Sequence, residues 1–242
     1  MARRPGSLLE MDSRSAEREL SRNPVVIVPI GAMEAHGPHL PLGADQIQAE
    51  ATAQALAERI GGLVVPALPF GVCAGARRFP GTVSLSMTTL SALVHELLEE
   101  IVRMGGRRIL VLSGHAEARH MAALREAADA VQRAHPEAGL VVLSDYDFVY
   151  ELRGKESPPT DGHGGLLESS RVMALAPSLV GTDRPHVVDR RRPFRSGDPT
   201  PEEWSESVVG DTGPASAELG RRIQAHVLSR LEETVASLLP PA

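Results

Sequence analysis

Two short runs in the chain hold residue types that bind metal ions together. Glu34-Ala35-His36 lies in the Gly/Pro-rich segment from Gly31 to Gly43, with Asp45 close behind it, and His115-Ala116-Glu117 follows Ser113-Gly114. Side chains two residues apart on an extended segment point the same way, so each run presents one imidazole and one carboxylate together. That donor set suits zinc, manganese or iron, and three carboxylates with two imidazoles can neutralise and bridge a pair of divalent ions. Any one of these residues, taken alone, serves as readily to cap a helix or bond to backbone. The two runs with Asp45 favour metal, because both fall where strands end.

Pro24 to Ile30 reads as a buried strand, a continuous β-branched run bounded by prolines. Further strands are expected at Leu63 to Pro66, Arg108 to Leu112 and Gly139 to Leu143. Helical spacing marks Ile47 to Ile60, Thr88 to Met104 with Thr88 or Thr89 as its cap, Ala118 to Ala134, Leu166 to Leu175 and Ala215 to Leu239. Residues 153 to 165 read as a loop, and Pro185 to Val208 as irregular. Strands alternating with helices predict an α/β fold with a mostly parallel sheet covered on both faces. No linker divides the chain, so residues 1–22 are expected to form an N-terminal arm and 23–242 one domain. In such sheets ligand groups gather at the carboxyl ends of the strands, where Glu34-x-His36 and His115-x-Glu117 both fall.

The chain has 242 residues, enough for one sizeable core. Apolar residues make up 42% and charged residues 23%, which excludes wholesale disorder. With 25 basic against 31 acidic residues, it lacks the footprint of a nucleic-acid binder. Cys73 is the sole cysteine, so an internal disulfide is impossible. The longest apolar stretches are far too short to span a bilayer, and the basic start Met1-Ala2-Arg3-Arg4 has no apolar signal core behind it. These features predict a cytoplasmic protein with neither nucleic-acid nor membrane partners.

The run from Pro29 to Asp45 resembles the creatininase (creatinine amidohydrolase) superfamily. So do Phe79-Pro80-Gly81-Thr82-Val83-Ser84-Leu85, Gly114-His115-Ala116-Glu117, His163-Gly164-Gly165-Leu166-Leu167-Glu168-Ser169-Ser170, and Gly210-Asp211-Thr212-Gly213 leading into Ala217-Glu218-Leu219-Gly220. The resemblance implies a single three-layer domain with the sheet between helix layers, a binuclear metal site and a homo-oligomer, hexameric in the family. It makes Glu34, Asp45 and His115 ligands of one ion, and His36, Asp45 and Glu117 ligands of the second, with Asp45 bridging. Glu168 is the other candidate for the last position, or a carboxylate behind it. The expected cofactor is two divalent ions, zinc with manganese or iron as alternatives. Two such ions depress the pKa of a bridging water, and the hydroxide attacks an amide carbonyl. The amine then leaves only if protonated. His163 resembles the family histidine that shuttles this proton, and Glu117 is the other catalytic candidate. His39 is expected to orient ligands or pack the loop. His120 could support the ligands or lie on a helix surface, while His95, His135 and His226 read as structural or solvated.

Departures from the family pattern bear on the substrate. Ser113 replaces an asparagine, and Cys73 and Ala76 stand where a serine and a histidine are usual. Arg77 and Arg78 offer guanidinium groups suited to a carboxylate or phosphate, as readily as an ordinary solvated loop would. Gly162 replaces an acidic residue, and no tryptophan matches the family's substrate-covering one by motif, since Trp204 lies well downstream. Cys73, Arg77, Arg78, Ala116 and Asp161 are the candidate substrate contacts. The expected function is a metal-dependent hydrolase of non-peptide carbon–nitrogen bonds in a small or cyclic amide. The alternatives are a creatininase-like peptidase that trims a modified peptide, as in mycofactocin maturation, and a non-catalytic binding protein of the same fold.

Overall fold

The computed structural model describes residues 4–187, 200 and 204–241. Much of the stretch expected to be irregular, Pro185 to Val208, therefore lies outside the described residues. A four-stranded parallel sheet forms the centre, in the order β2 (Leu63–Val64), β1 (Val25–Ile30), β3 (Arg108–Ser113), β4 (Gly139–Ser144). Each of these strands stands where the hydrophobic runs place one. Every residue of β1 is buried, as a strand covered on both faces requires.

Alternate strand residues feed two cores. Ile27, Leu110 and Leu112 face one layer, built from α2 (Ala44–Ile60), α6 (Leu166–Leu175) and α7 (Ala217–Leu238). Val26, Val28, Ile109 and Val111 face the other, built from α3 (Met87–Arg103) and α4 (Ala118–Ala134), with Leu20 of α1 (Ser13–Leu20). Full burial of each large aliphatic side chain stabilises the fold by about 1.5–3 kcal/mol. The short helix α5 (Tyr146–Val149) follows β4, and β5 (His186–Val187) pairs antiparallel with β6 (Gly210–Asp211). The result is three layers, helices on both sides of a parallel sheet.

Two element boundaries differ from those expected, and the N-terminal arm takes a definite place. Ser86, not Thr88 or Thr89, caps α3, accepting a hydrogen bond from the Thr89 N–H at 3.1 Å. The arm is tied to the sheet edge: the Val64 N–H donates to the Gly6 carbonyl at 2.8 Å, and Leu20 is buried. Helix α2 begins at Ala44, earlier than its apolar spacing suggests, which moves Asp45 from the loop into a first helical turn. Ile30 pairs with Ser113 and Ser113 with Ser144, so β1, β3 and β4 end in one row. The segments that leave these three strands therefore emerge at the same edge.

Candidate metal centre

Two glycines at that edge set the position of Asp45. A Cβ on Gly31, just after β1, would stand 2.4 Å from Gln46 Cα, and one on Gly114, just after β3, would stand 2.2 Å from the Asp45 carbonyl oxygen. Only bare backbone lets the first turn of α2 lie on both strand ends at once. Asp45 is thereby buried between the Glu34–His36 run and His115. The positive end of the α2 dipole favours a carboxylate there.

The hydrogen bonds of two histidines fix what the cluster can hold. His115 Nε2 lies 2.9 Å from the Val72 carbonyl oxygen, and His36 Nδ1 lies 3.0 Å from the Glu34 carbonyl oxygen. A carbonyl only accepts, so each of these nitrogens carries a hydrogen. The opposite nitrogens face carboxylates. His115 Nδ1 is 3.1 Å from Glu34 Oε2 and 3.0 Å from Asp45 Oδ2, and His36 Nε2 is 3.1 Å from Asp45 Oδ1 and 3.4 Å from Glu168 Oε1. An imidazole lone pair aimed at two carboxylates is repulsive unless a proton or a metal cation lies between them. Glu34 Oε2 and Asp45 Oδ2 are buried and accept no hydrogen bond of ordinary geometry, which leaves anionic oxygens to be met by a cation. The donor set therefore fits two divalent ions, one within reach of Glu34, Asp45 and His115, the other of His36, Asp45 and Glu168, with one oxygen of Asp45 turned to each.

The electrostatics follow from burial and crowding. Burial pushes the Glu34 carboxyl up to about 7, Asp45 adding to the rise while His115 opposes it. Burial would raise Asp45 as well, but His36 and His115 outweigh it and hold Asp45 at about 2. Burial opposes charge on His36 and His115, yet the facing carboxylates, chiefly Glu168 for His36 and Glu34 for His115, hold both well above the usual imidazole value. Glu168 is held in turn: Tyr146 Oη and Gln48 Nε2 donate to its Oε1 at 2.7 and 3.1 Å, and the Gly164 N–H donates to its Oε2 at 2.8 Å. The buried pair Arg171–Asp145, at 2.6 Å, ties α6 to the end of β4 and brings Tyr146 against Glu168.

Several expected residues take other places. Glu117 is not brought to His36; its Oε2 lies 3.9 Å from His115 Nε2 and accepts from the Ala74 N–H at 2.8 Å, leaving Glu168 beside the His36–Asp45 half. A cavity of about 220 Å³ opens over the cluster, and Glu117, Ala116 and His163 line it. Arg77 and Arg78 are exposed and outside its wall, Arg78 lying over the Phe79 ring at 4.6 Å. Asp161 is buried and caps α6, accepting from the Leu166 and Leu167 N–H groups at 2.7 and 3.1 Å, so it is not free for substrate. Cys73 is fully buried beside Glu34 and His115 and does not line the open cavity. His39 packs the loop, bonded through Nε2 to Ser169 Oγ at 2.7 Å. His120 is a buried neutral imidazole rather than a surface one, held down to about 3 by burial and bonded through Nε2 to Ser113 Oγ at 3.0 Å. There it braces the turn that carries His115, whose ring it meets edge-on at 4.9 Å.

The cavity wall also holds Tyr146, Tyr150, Arg153 and Trp204. Trp204 comes from far downstream after all, its ring edge-on to His163 at 5.1 Å and packed on Ala76 and Val209. Ala76, small and fully buried, packs against the ring. Tyr146 stands just past the end of β4, and the strand-end rule that singles out Glu34 and His115 reaches it as well. Arg153 and Trp204 have no comparable local signal.

The creatininase family model, described as creatinine amidohydrolase, matches residues 9–235. A creatinine amidohydrolase of Pseudomonas putida is 36% identical over 182 residues, 68% of each chain. A mycofactocin precursor peptide peptidase of Mycobacterium tuberculosis is 27% identical over 247 residues, covering 96% of this chain and 92% of its own. A crystal structure of creatininase superposes with a TM-score of 0.90 at 27% identity, over 99% of this chain and 100% of that one. Creatininase has also been solved in a manganese form and, as a mutant, in a zinc–zinc form. The family model spans residues 9–235, the Glu34–Asp45–His115 cluster included, and the chain belongs to the creatininase family of hydrolases.

Proposed function

We propose that the chain is a metal-dependent amidohydrolase that holds two divalent ions, through Glu34, Asp45 and His115 and through His36, Asp45 and Glu168, and cleaves the carbon–nitrogen bond of a small amide. The observation that carries this is the pair of histidines whose tautomers are fixed by backbone carbonyls and whose remaining nitrogens both face carboxylates. Such ions, when bound, bring the pKa of a coordinated water to about 7 and polarise a carbonyl oxygen. The chain's own part is to place the substrate, exclude bulk water and move a proton.

His163 is the proton carrier. Its Nε2–H donates to the Ala35 carbonyl at 2.8 Å, which leaves Nδ1 to accept, and its ring stacks on His36 at 4.1 Å. Burial, with the charge of His36 added, holds it down to about 3. It is therefore neutral at rest: its free nitrogen takes a proton from the attacking water and passes it to the amine nitrogen as that nitrogen leaves. Glu117, fixed by the Ala74 N–H, offers a carboxylate at the cavity wall to orient the incoming water or the substrate.

Size and charge narrow the substrate. A cavity of about 220 Å³ is smaller than the ~300–1,000 Å³ typical of drug-sized ligands. Arg153 lines it with its guanidinium 3.5 Å over the Tyr150 ring, and its Nε is buried without a hydrogen-bond partner. That cation suits an amide that also carries a carboxylate. The second reading, a peptidase acting near a peptide's free carboxylate, draws support from the near-complete coverage of the mycofactocin peptidase. A panel of small cyclic and acyclic amides, with and without a carboxylate, and of short peptides should separate the two when released amine is followed. Turnover of the small carboxylate-bearing amides supports the first reading, and turnover of peptides alone supports the second.

Metal uptake should release protons. The metal-free cluster holds His36 and His115 protonated, and Glu34 joins them below pH about 7. Fewer protons are bound after uptake than before, so affinity rises with pH, by about tenfold per unit for each proton displaced. Chelator competition through the neutral range measures it. Affinity independent of pH would contradict the assignment of the histidines as ligands.

A further inference from the structure

We propose that Cys73 is a thiolate ligand of the ion held by Glu34 and His115, which makes that position sulfur-ligated and selective for zinc over manganese. This rests on the metal reading of the Asp45 cluster and goes beyond it in assigning a donor of a different chemical class. Cys73 is fully buried, directly after Val72, whose carbonyl oxygen faces His115 Nε2. Its own N–H donates to Ser84 Oγ at 2.9 Å, which fixes the backbone that carries the sulfur. The sulfur, a Glu34 carboxylate oxygen and a His115 nitrogen all lie within 4.8 Å of one another.

A buried cysteine usually sits among apolar side chains as a small hydrophobe. This one does not. Beside it lie a Glu34 carboxylate and the His115 imidazole, to which the thiol hydrogen-bonds, with Asp45 near enough to act on it electrostatically; Glu34 Oε2 and Asp45 Oδ2 are buried and accept no hydrogen bond of ordinary geometry. A thiol is too weak a donor to satisfy them. A cation among these groups satisfies all of them together. On binding, the thiol proton passes to solvent as the sulfur–metal bond forms, so no oxidant or reductant is needed. Together with His115, Glu34 and bridging Asp45, the sulfur completes a four-donor set of the kind zinc takes in tetrahedral sites. Thiolate is a poor partner for manganese, which favours oxygen donors.

Cobalt(II) titration of the metal-free protein tests the assignment. The expected result is a near-ultraviolet thiolate-to-cobalt charge-transfer band that grows with the first ion taken up by the sulfur-containing position. Cys73→Ser should lose that band, keep the visible d–d bands, and show a weakened preference for zinc over manganese in competition. Should Cys73→Ser fail to fold, zinc-edge X-ray absorption of the unmutated protein decides instead, with one sulfur scatterer expected at about 2.3 Å. Cobalt that binds with d–d bands but no charge-transfer band, or zinc with no sulfur neighbour, overturns the Cys73 assignment and leaves the metal centre standing. A protein that takes up no cobalt or zinc overturns both.

Discussion

Asp45→Asn is expected to lower turnover by about a thousandfold or more, since a metal centre contributes several kcal/mol to the transition state and each 1.36 kcal/mol is about tenfold. It is also expected to leave fewer than two ions bound per chain. The reason is geometric. Asp45 Oδ1 faces His36 Nε2 at 3.1 Å and Oδ2 faces His115 Nδ1 at 3.0 Å, so one carboxylate serves both halves of the cluster. An amide keeps the shape but has one oxygen, and either orientation turns an NH2 group toward one of the two positions. The fold should survive, because α2 is anchored by Ala53, Leu56 and Ala57 in the core rather than by Asp45. Full activity with two ions bound would contradict the bridging role; elemental analysis and turnover on the same preparation decide it.

His163→Ala is expected to reduce turnover by about 10²–10⁴-fold, the usual range for a positioned proton carrier, while metal content stays unchanged. His163 stacks on His36 and bonds to the Ala35 carbonyl, and no ligand carboxylate is among its hydrogen-bond partners. A structural role would show instead as lost metal or lowered thermal stability. Substrates with a better leaving group should be hurt less by the substitution, since they need less help from a proton. An equal loss across leaving groups would argue against proton transfer by His163.

The elements and the heart of the cluster are legible in the sequence for physical reasons. A strand buried on both faces must be a continuous apolar run, which marks Val25 to Ile30 without ambiguity, and Gly61-Gly62 ends α2 where the chain turns in left-handed backbone at Gly61. Chemistry gathers at strand ends, which singles out Glu34, His36 and His115 from residue order alone. The choice between Glu117 and Glu168 is not legible. Both are carboxylates in plausible motifs, and only packing shows that Tyr146, Gln48 and the Gly164 N–H hold Glu168 against His36 while the Ala74 N–H holds Glu117 on the other side. Arg77 and Arg78 mislead for the converse reason: a charged pair beside a family-like loop says nothing about which way the loop faces, and both side chains face solvent. Arg153 follows the short helical turns after β4 and Trp204 lies far downstream in sequence, and no local pattern at either position marks it as lining the cavity.

The role proposed for Asp45 is to join two divalent ions into one hydrolytic centre. Its most direct test is elemental analysis of the purified protein together with activity before and after chelation. About two zinc, manganese or iron ions per chain, as a binuclear centre requires, with activity lost on chelation and restored on adding the metal back, is the expected result. A chain that hydrolyses its amide substrate at full rate with no bound divalent ion would contradict it.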